Sequence, residues 1–186
     1  MRDPKRVAIL ISGRGSNMRA LVEKAEGYEV ALIASNKPNA AGLDWARSQD
    51  LPTWALDSRG TEKEQFDRKL SAALDEHDVG TIALAGFMRI LSPWFVEQWR
   101  GRILNIHPSL LPRYRGLDTH ARAIDAGDAS GGCSVHIVTE ELDAGAVIGQ
   151  SIVPIEPGDT PASLEERVLA AEHELYPRVL SEFVRR

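Results

Sequence analysis

Residues 7–17, VAILISGRGSN, decide the fold. Positions 7–11 form an uninterrupted apolar run, and SGRGSN closes it with glycine and serine. An apolar run of this length bounded by a turn reads as a strand buried on both faces. From Asn17 to Glu26, Met18, Leu21, Val22 and Ala25 recur at helical spacing. A doubly buried strand that feeds a helix opens a βα unit, and βα units build a mostly parallel sheet through right-handed crossovers.

The same alternation continues outward. Strands are expected at 28–35 and 53–56, with a helix over 40–49 between them. A longer helix over 61–77 carries Phe66, Leu70, Ala73 and Leu74 on one face. Residues 81–87 are apolar throughout, as a central parallel strand is. Ser92 opens a helix with Pro93 at its first position, and 103–106 make the next strand. The last third changes character. Strands at 133–138 and 146–155 have no helix between them, and ELDAG turns the chain back, giving an antiparallel addition. A helix over 160–184 follows, with Thr160 as cap and Pro161 at its first position, and Pro177 is expected to kink or interrupt it. The expected fold class is α/β: one doubly wound, mostly parallel sheet flanked by helices, Rossmann-like, with an antiparallel addition near the C-terminus. Residues 1–186 read as a single domain without repeat, linker or low-complexity segment.

A chain of 186 residues, 43% hydrophobic and 26% charged, has the balance of a globular protein that needs no staples. The formal net charge of -5 gives no basic surface for nucleic acid, and none is expected as partner. Cys133 is the sole cysteine, so no disulfide forms within the chain, which fits a reducing compartment. It reads as a small, partly buried residue rather than a nucleophile. The apolar run at 7–11 is too short for a signal-peptide core or a membrane span, so a cytoplasmic location and no membrane partner are expected.

Three segments carry chemistry. In SGRGSN the glycines let a ligand approach the backbone, and free N–H groups with the helix dipole favour an anion such as one phosphate. There is no Gly-Lys-Ser/Thr, and Met18 stands where a dinucleotide fingerprint needs Gly or Ala. A plain tight turn capped by Ser16 reads equally well. AGFMRIL (85–91) leaves a strand at its carboxyl end, where ligands of open α/β sheets bind. Met88, Ile90 and Leu91 line a flat apolar pocket in one reading and pack the core, with Arg89 solvated, in the other. In LNIHPSLLP (104–112), Asn105 and His107 sit two apart on a strand and so face the same way. An imidazole moves protons near pH 7 and an amide N–H stabilises an oxyanion, although a strand histidine is also often structural. Asp143 in ELDAG, beside Glu140 and Glu141, is the available carboxylate, and equally an ordinary turn residue. His120 opens a helix, His77 ends one in solvent, and His136 faces either the site or the sheet surface. No zinc spacing and no Gly-x-Ser-x-Gly elbow is present, so no metal is expected.

Taken together, GRGSN, AGFMRIL, NIHPSLLP, SVHIV, ELDAG and AEHELYP resemble the folate-dependent formyltransferases, and among them those that formylate glycinamide ribonucleotide in purine synthesis. The resemblance is collinear from the first strand to the last helix. It implies that Gly15, Ser16 and Asn17 hold the ribonucleotide phosphate. It implies that Glu172, by itself a solvated helix residue, holds the ribose or the glycinamide end. Met88, Arg89, Ile90 and Leu91, with Thr139, Glu140, Glu141, Leu142 and Asp143, would cradle the pterin of 10-formyltetrahydrofolate, largely through backbone groups. Asn105, His107 and Asp143 would be the catalytic trio, with Asn105 also touching the folate.

Two positions depart from the family pattern. Asp118 stands where many members have His. Lys63 stands where an Arg can face the folate tail, and Lys supplies charge without the bidentate fork. LPRYRG (111–116) resembles the methionyl-tRNA formyltransferases, but these are expected to carry a second, basic domain, and the chain ends at Arg186 where relatives often continue. A formyltetrahydrofolate hydrolase is expected to begin with a regulatory domain, whereas the first strand here starts at residue 6. A non-catalytic folate- or nucleotide-binding module would not need Asn105, His107 and Asp143. A homodimer is left open.

Overall fold

The computed structural model describes residues 2–186. Its elements run β1 (Arg6–Ile11), α1 (Ser16–Glu23), β2 (Glu29–Ser35), α2 (Ala41–Ser48), β3 (Thr53–Ala55), α3 (Lys63–Glu76), β4 (Thr81–Leu84), α4 (Pro93–Gln98), β5 (Ile103–His107), α5 (Thr119–Asp125), β6 (Ser130–Ile137), β7 (Val147–Pro154) and α6 (Pro161–Phe183). The strands form one seven-stranded sheet in the order β3-β2-β1-β4-β5-β6-β7. All pairs from β3 to β5 are parallel, and β6 and β7 are added antiparallel.

The chain winds outward from β1 to β3, then returns to lay β4 on the other side of β1. The order reverses between β1 and β4, which makes that gap the crevice where ligands of such sheets bind. Alternate residues of each strand feed two cores. Val7, Ile9, Ile11, Leu104 and Ile106 pack with α1, α2 and α6, including Met18, Leu43, Leu175 and Tyr176. Ala8, Leu10, Ile82 and Ile103 pack with Phe66 and Leu70 of α3, with Phe95 of α4 and with Trp99 just after it. The apolar runs are therefore buried on both sides, as a parallel sheet requires. Ser92 and Thr160 cap α4 and α6 by accepting from Phe95 N and Ser163 N, at 3.2 Å each, with Pro93 and Pro161 in the first turn.

Most expected boundaries move by one or two residues, and α1 ends at Glu23 rather than 26. β4 ends at Leu84 rather than 87, because Gly86 takes a left-handed conformation (φ 76) and turns the chain. β6 begins at Ser130, three residues before the expected start, because the glycine pair 131–132 stays in register with β7. α6 runs as one helix past Pro177. Proline removes the N–H that His173 O would accept, and Lys24 Nζ donates to that carbonyl instead at 3.3 Å. Among the described residues no helix is long and apolar enough to cross a membrane.

Candidate active site

β5 carries Asn105 and His107 on the face opposite Leu104 and Ile106, so both point to the α3/α4 side of the sheet. The antiparallel register sets His136 opposite Asn105 and Ser134 opposite His107. A strand that continued as Val and Ile here would simply extend the core. Four polar residues on one face make a polar floor instead. Asp143 joins from the connection between β6 and β7, in a left-handed conformation (φ 51) that turns its carboxylate inward. His107, His136 and Asp143 are all buried.

The hydrogen bonds orient each group. His107 Nε2 lies 2.9 Å from Tyr114 O. A carbonyl only accepts, so Nε2 carries a proton, and Nδ1 is the nitrogen turned toward Asp143 Oδ2, 3.4 Å away. That separation is looser than a good hydrogen bond and leaves Nδ1 available to a substrate. Asp143 Oδ2 accepts from Gly116 N at 3.0 Å. His136 Nδ1 lies 3.1 Å from Ile137 O and therefore donates, so its Nε2 accepts from Asn105 Nδ2 at 3.2 Å. Burial lowers the pKa of His136 and keeps that ring neutral, which suits its role as acceptor. His136 thus fixes the amide of Asn105 with one N–H bound and the other free for a developing oxyanion. The sequence left His136 between site and surface; its cross-strand position opposite Asn105 is what settles it.

The second cluster lies at the start of α1. Gly15 is left-handed (φ 73, ψ 41) and caps α1 with no side-chain hydrogen bond. Ser16 is therefore not the cap that the plain-turn reading needs; it is the first helical residue. The first-turn N–H groups stay free for an anion. Behind them Asn17 Nδ2 donates to Glu172 Oε2 at 2.7 Å, with both side chains buried. Asn17 Oδ1 is buried without any partner. Burial pushes the Glu172 carboxyl up to about 7, against the opposing effect of Asn17. Periodicity gave no sign of this, because the partner of Glu172 lies 155 residues away in sequence.

The rim is apolar. Met88 and Ile90 are 69% and 64% exposed, and Leu117 and Leu142 are exposed as well, on the segments that frame the trio. Exposed apolar side chains grouped in this way mark a binding surface. Leu91 packs in the core beside α3 and α4 and leaves only its backbone for the site. Arg89 is half-buried: its guanidinium lies 4.7 Å from the Phe66 ring and reaches Ser58 O and Thr61 O. Lys63 is exposed at the first position of α3. Thr139, Glu140 and Glu141 are exposed, with Glu141 paired to Arg115 at 2.8 Å. Asp118 is exposed and left-handed at the start of α5 and makes no capping bond there. Ser12 Oγ ties the two sides of the crevice, donating to Asn36 Oδ1 at 2.5 Å and accepting from Met88 N at 2.7 Å. Among the described residues no group of three or more His, Cys, Asp or Glu is placed to hold a metal ion.

The fold is a doubly wound α/β sheet that carries a cluster of Asn105 with the buried His107 and Asp143, on β5 and the β6–β7 connection, and a left-handed glycine at the start of α1. The chain belongs to the formyl transferase family, whose model matches residues 5–180. It is 44% identical to the phosphoribosylglycinamide formyltransferase of Escherichia coli over 95% of this chain and 86% of that one. It is 43% identical to the human trifunctional purine biosynthetic protein adenosine-3 over 94% of this chain, but spans only 18% of that protein's length. The crystal structure of phosphoribosylglycinamide formyltransferase from Brucella melitensis superposes with a TM-score of 0.92 at 46% identity, covering 97% of this chain and 95% of that one.

Proposed function

We propose that this protein transfers the formyl group of 10-formyltetrahydrofolate to the amine of glycinamide ribonucleotide, a step of purine biosynthesis. The observation that carries the reading is His107, with Nε2 held by a backbone carbonyl and Nδ1 open beside the Asp143 carboxylate. The primary amine attacks the formyl carbon and forms a tetrahedral intermediate with negative charge on its oxygen. The free N–H of Asn105 and, once its open Nδ1 has gained a proton, the His107 ring donate to that oxygen. The Asp143 carboxylate lies beside Nδ1, 3.4 Å away, and faces the same reacting atoms. The amine gives up a proton as the C–N bond to folate breaks, and the folate nitrogen leaves after gaining one, through His107 or an ordered water. No covalent enzyme intermediate is needed.

The two substrates fit opposite ends of the crevice. Gly15, Ser16 and Asn17 hold the ribonucleotide phosphate at the start of α1. Glu172 and the unpartnered Asn17 Oδ1 hold its ribose or glycinamide end. The pterin rests among Met88, Arg89, Ile90, Leu91 and 139–143, and Lys63 faces the folate tail. In this reading residues 1–186 act as one formyltransferase domain in the cytoplasm, on small molecules alone. The test is formyl transfer followed by the absorbance of deformylated folate, with and without glycinamide ribonucleotide. Turnover that requires the ribonucleotide is the expected result. Turnover without it identifies a hydrolase, and no turnover in either tube sinks the reading.

A further inference from the structure

The carbonyl that orients His107 belongs to a surface loop, which raises the question of what holds that carbonyl in place. Tyr114 is left-handed (φ 54), a conformation that a tyrosine adopts only when its surroundings enforce it. Its phenol donates to Asp128 Oδ2 at 2.7 Å, just past the end of α5. The Arg122 guanidinium lies 5.2 Å from its ring and also donates to Arg115 O at 2.7 Å and Leu117 O at 3.1 Å. Arg113, the preceding residue, pairs with Asp128 Oδ2 at 3.3 Å, and its carbonyl accepts from Ser109 Oγ at 2.6 Å. The backbone of Tyr114 is thus clamped from the far side, away from any reacting atom.

The clamp has a chemical consequence. Asp143, 3.4 Å from Nδ1, is too far to fix the ring by itself. The bond to Tyr114 O decides which nitrogen carries the fixed proton and which one faces the substrate. We propose that Asp128 and the phenol of Tyr114 are positioning residues for the formyl transfer: they hold the Tyr114 carbonyl on His107 Nε2 and so keep Nδ1 presented to the reaction. Neither side chain is hydrogen-bonded to the His107 ring or to the Asp143 carboxylate. The sequence offers no hint of the pair, since a tyrosine and an aspartate 14 residues apart in and after a loop look like ordinary surface residues.

This inference rests on the role given to His107 under the proposed function, and its test separates the two. The variants are Tyr114→Phe, Asp128→Ala and Asp128→Asn. The phenylalanine keeps the ring and its cation contact but loses the donor; the asparagine keeps an oxygen that accepts from the phenol. Steady-state kinetics should show turnover falling about tenfold or more in Tyr114→Phe and Asp128→Ala, with KM for both substrates within about twofold, and Asp128→Asn recovering to within about threefold of the parent. Nitrogen-15 spectra of the histidine rings, without substrate and with His107 assigned through a His107→Asn protein, should show the proton on Nε2 in the parent and in Asp128→Asn. In Tyr114→Phe and Asp128→Ala it should be shared between the two ring nitrogens. A Tyr114→Phe protein that keeps the Nε2 proton of the parent, or that keeps its turnover within about twofold, overturns the proposal. Because the spectra need no acceptor, they still decide on the clamp if glycinamide ribonucleotide proves to be the wrong substrate.

Discussion

His107 on β5 and Glu172 on α6 are equally hidden from solvent, yet their surroundings are opposite in kind. Around His107 the polar atoms are mutually engaged: Nε2 with Tyr114, His136 with Asn105 and Ile137, Asp143 with Gly116. Among the described residues no fully buried side-chain atom of this cluster lacks a partner, and the groups left open are Nδ1, one N–H and the Oδ1 of Asn105, and Asp143 Oδ1. Around Glu172 the cluster is unfinished. Asn17 Oδ1 has no partner, and the carboxyl is held near 7 by burial. A preorganised cluster suits groups that must meet a fleeting charge, because nothing has to move when the charge forms. An unfinished one suits a substrate that supplies the missing hydrogen bonds and remains bound.

That contrast predicts where substitutions act. The largest effect belongs to the closed cluster. Replacing His107 by Ala removes an oxyanion donor and should lower turnover by roughly two to three orders of magnitude, with folding retained by circular dichroism. A His107→Ala protein that keeps more than about a tenth of the turnover would leave His107 a structural residue and erase the distinction.

The next effect belongs to the open cluster and depends on pH. The folded Glu172 carboxyl is raised from 4.5 to about 7, so between those values the folded protein holds a proton that the unfolded chain has released. Its contribution to stability is complete below about 4.5 and is lost as pH rises through about 7, by at most about 3 kcal/mol. Glu172→Gln keeps an acceptor for Asn17 and removes the titration. Without substrate, its Tm should match the parent at pH 5 and exceed it by about 5 °C at pH 8, while KM for the ribonucleotide rises about tenfold. Equal Tm values at both pH values would mean that Glu172 is hydrated in solution and that the two clusters do not differ as described.

The same contrast explains what the sequence made legible. Asn105 and His107 stand out because strand side chains alternate with period two, and two polar residues on one face interrupt an otherwise apolar run. The sheet, its parallel winding and the antiparallel turn-back follow from local signals of the same sort: doubly apolar runs, glycine turns, caps at Ser92 and Thr160. Glu172 carries no such mark. On a charged helix an inward glutamate is indistinguishable from an outward one, and only the docking of α6 on α1 brings it to Asn17. His136 is intermediate, since its face follows from period two but its partner follows from the β5–β6 register. Pro177 does not interrupt α6, because the cost of a proline depends on whether its orphaned carbonyl finds another donor, and Lys24 supplies one.

A smaller effect sharpens the reading of the open cluster. Gly15 precedes the free N–H groups of α1 in a left-handed conformation, and a Cβ there would sit 2.9 Å from Met18 Cε. Gly15→Ala should cost about 1–2 kcal/mol, read as a Tm lower by about 3–6 °C, since L-residues are disfavoured in that region. It should also raise KM for the ribonucleotide several-fold and leave turnover at saturation close to the parent. Lowered turnover at saturation, with KM unchanged, would place this loop with the chemistry rather than with binding.

The smallest effect lies at the rim. Lys63 is exposed at the first position of α3, and it carries charge without the planar fork that pairs with a carboxylate. Solvent-exposed ion pairs contribute up to about 1 kcal/mol, so the gain from a better fork is bounded. Lys63→Arg should lower KM for 10-formyltetrahydrofolate about two- to threefold at low ionic strength, with turnover unchanged, and the advantage should fade as salt is raised. Lys63→Ala should raise that KM by a similar factor with the same salt dependence. If neither variant moves the folate KM while His107→Ala abolishes turnover, the folate tail lies away from the start of α3, and only the pterin end of the site, at 88–91 and 139–143, recognises the donor.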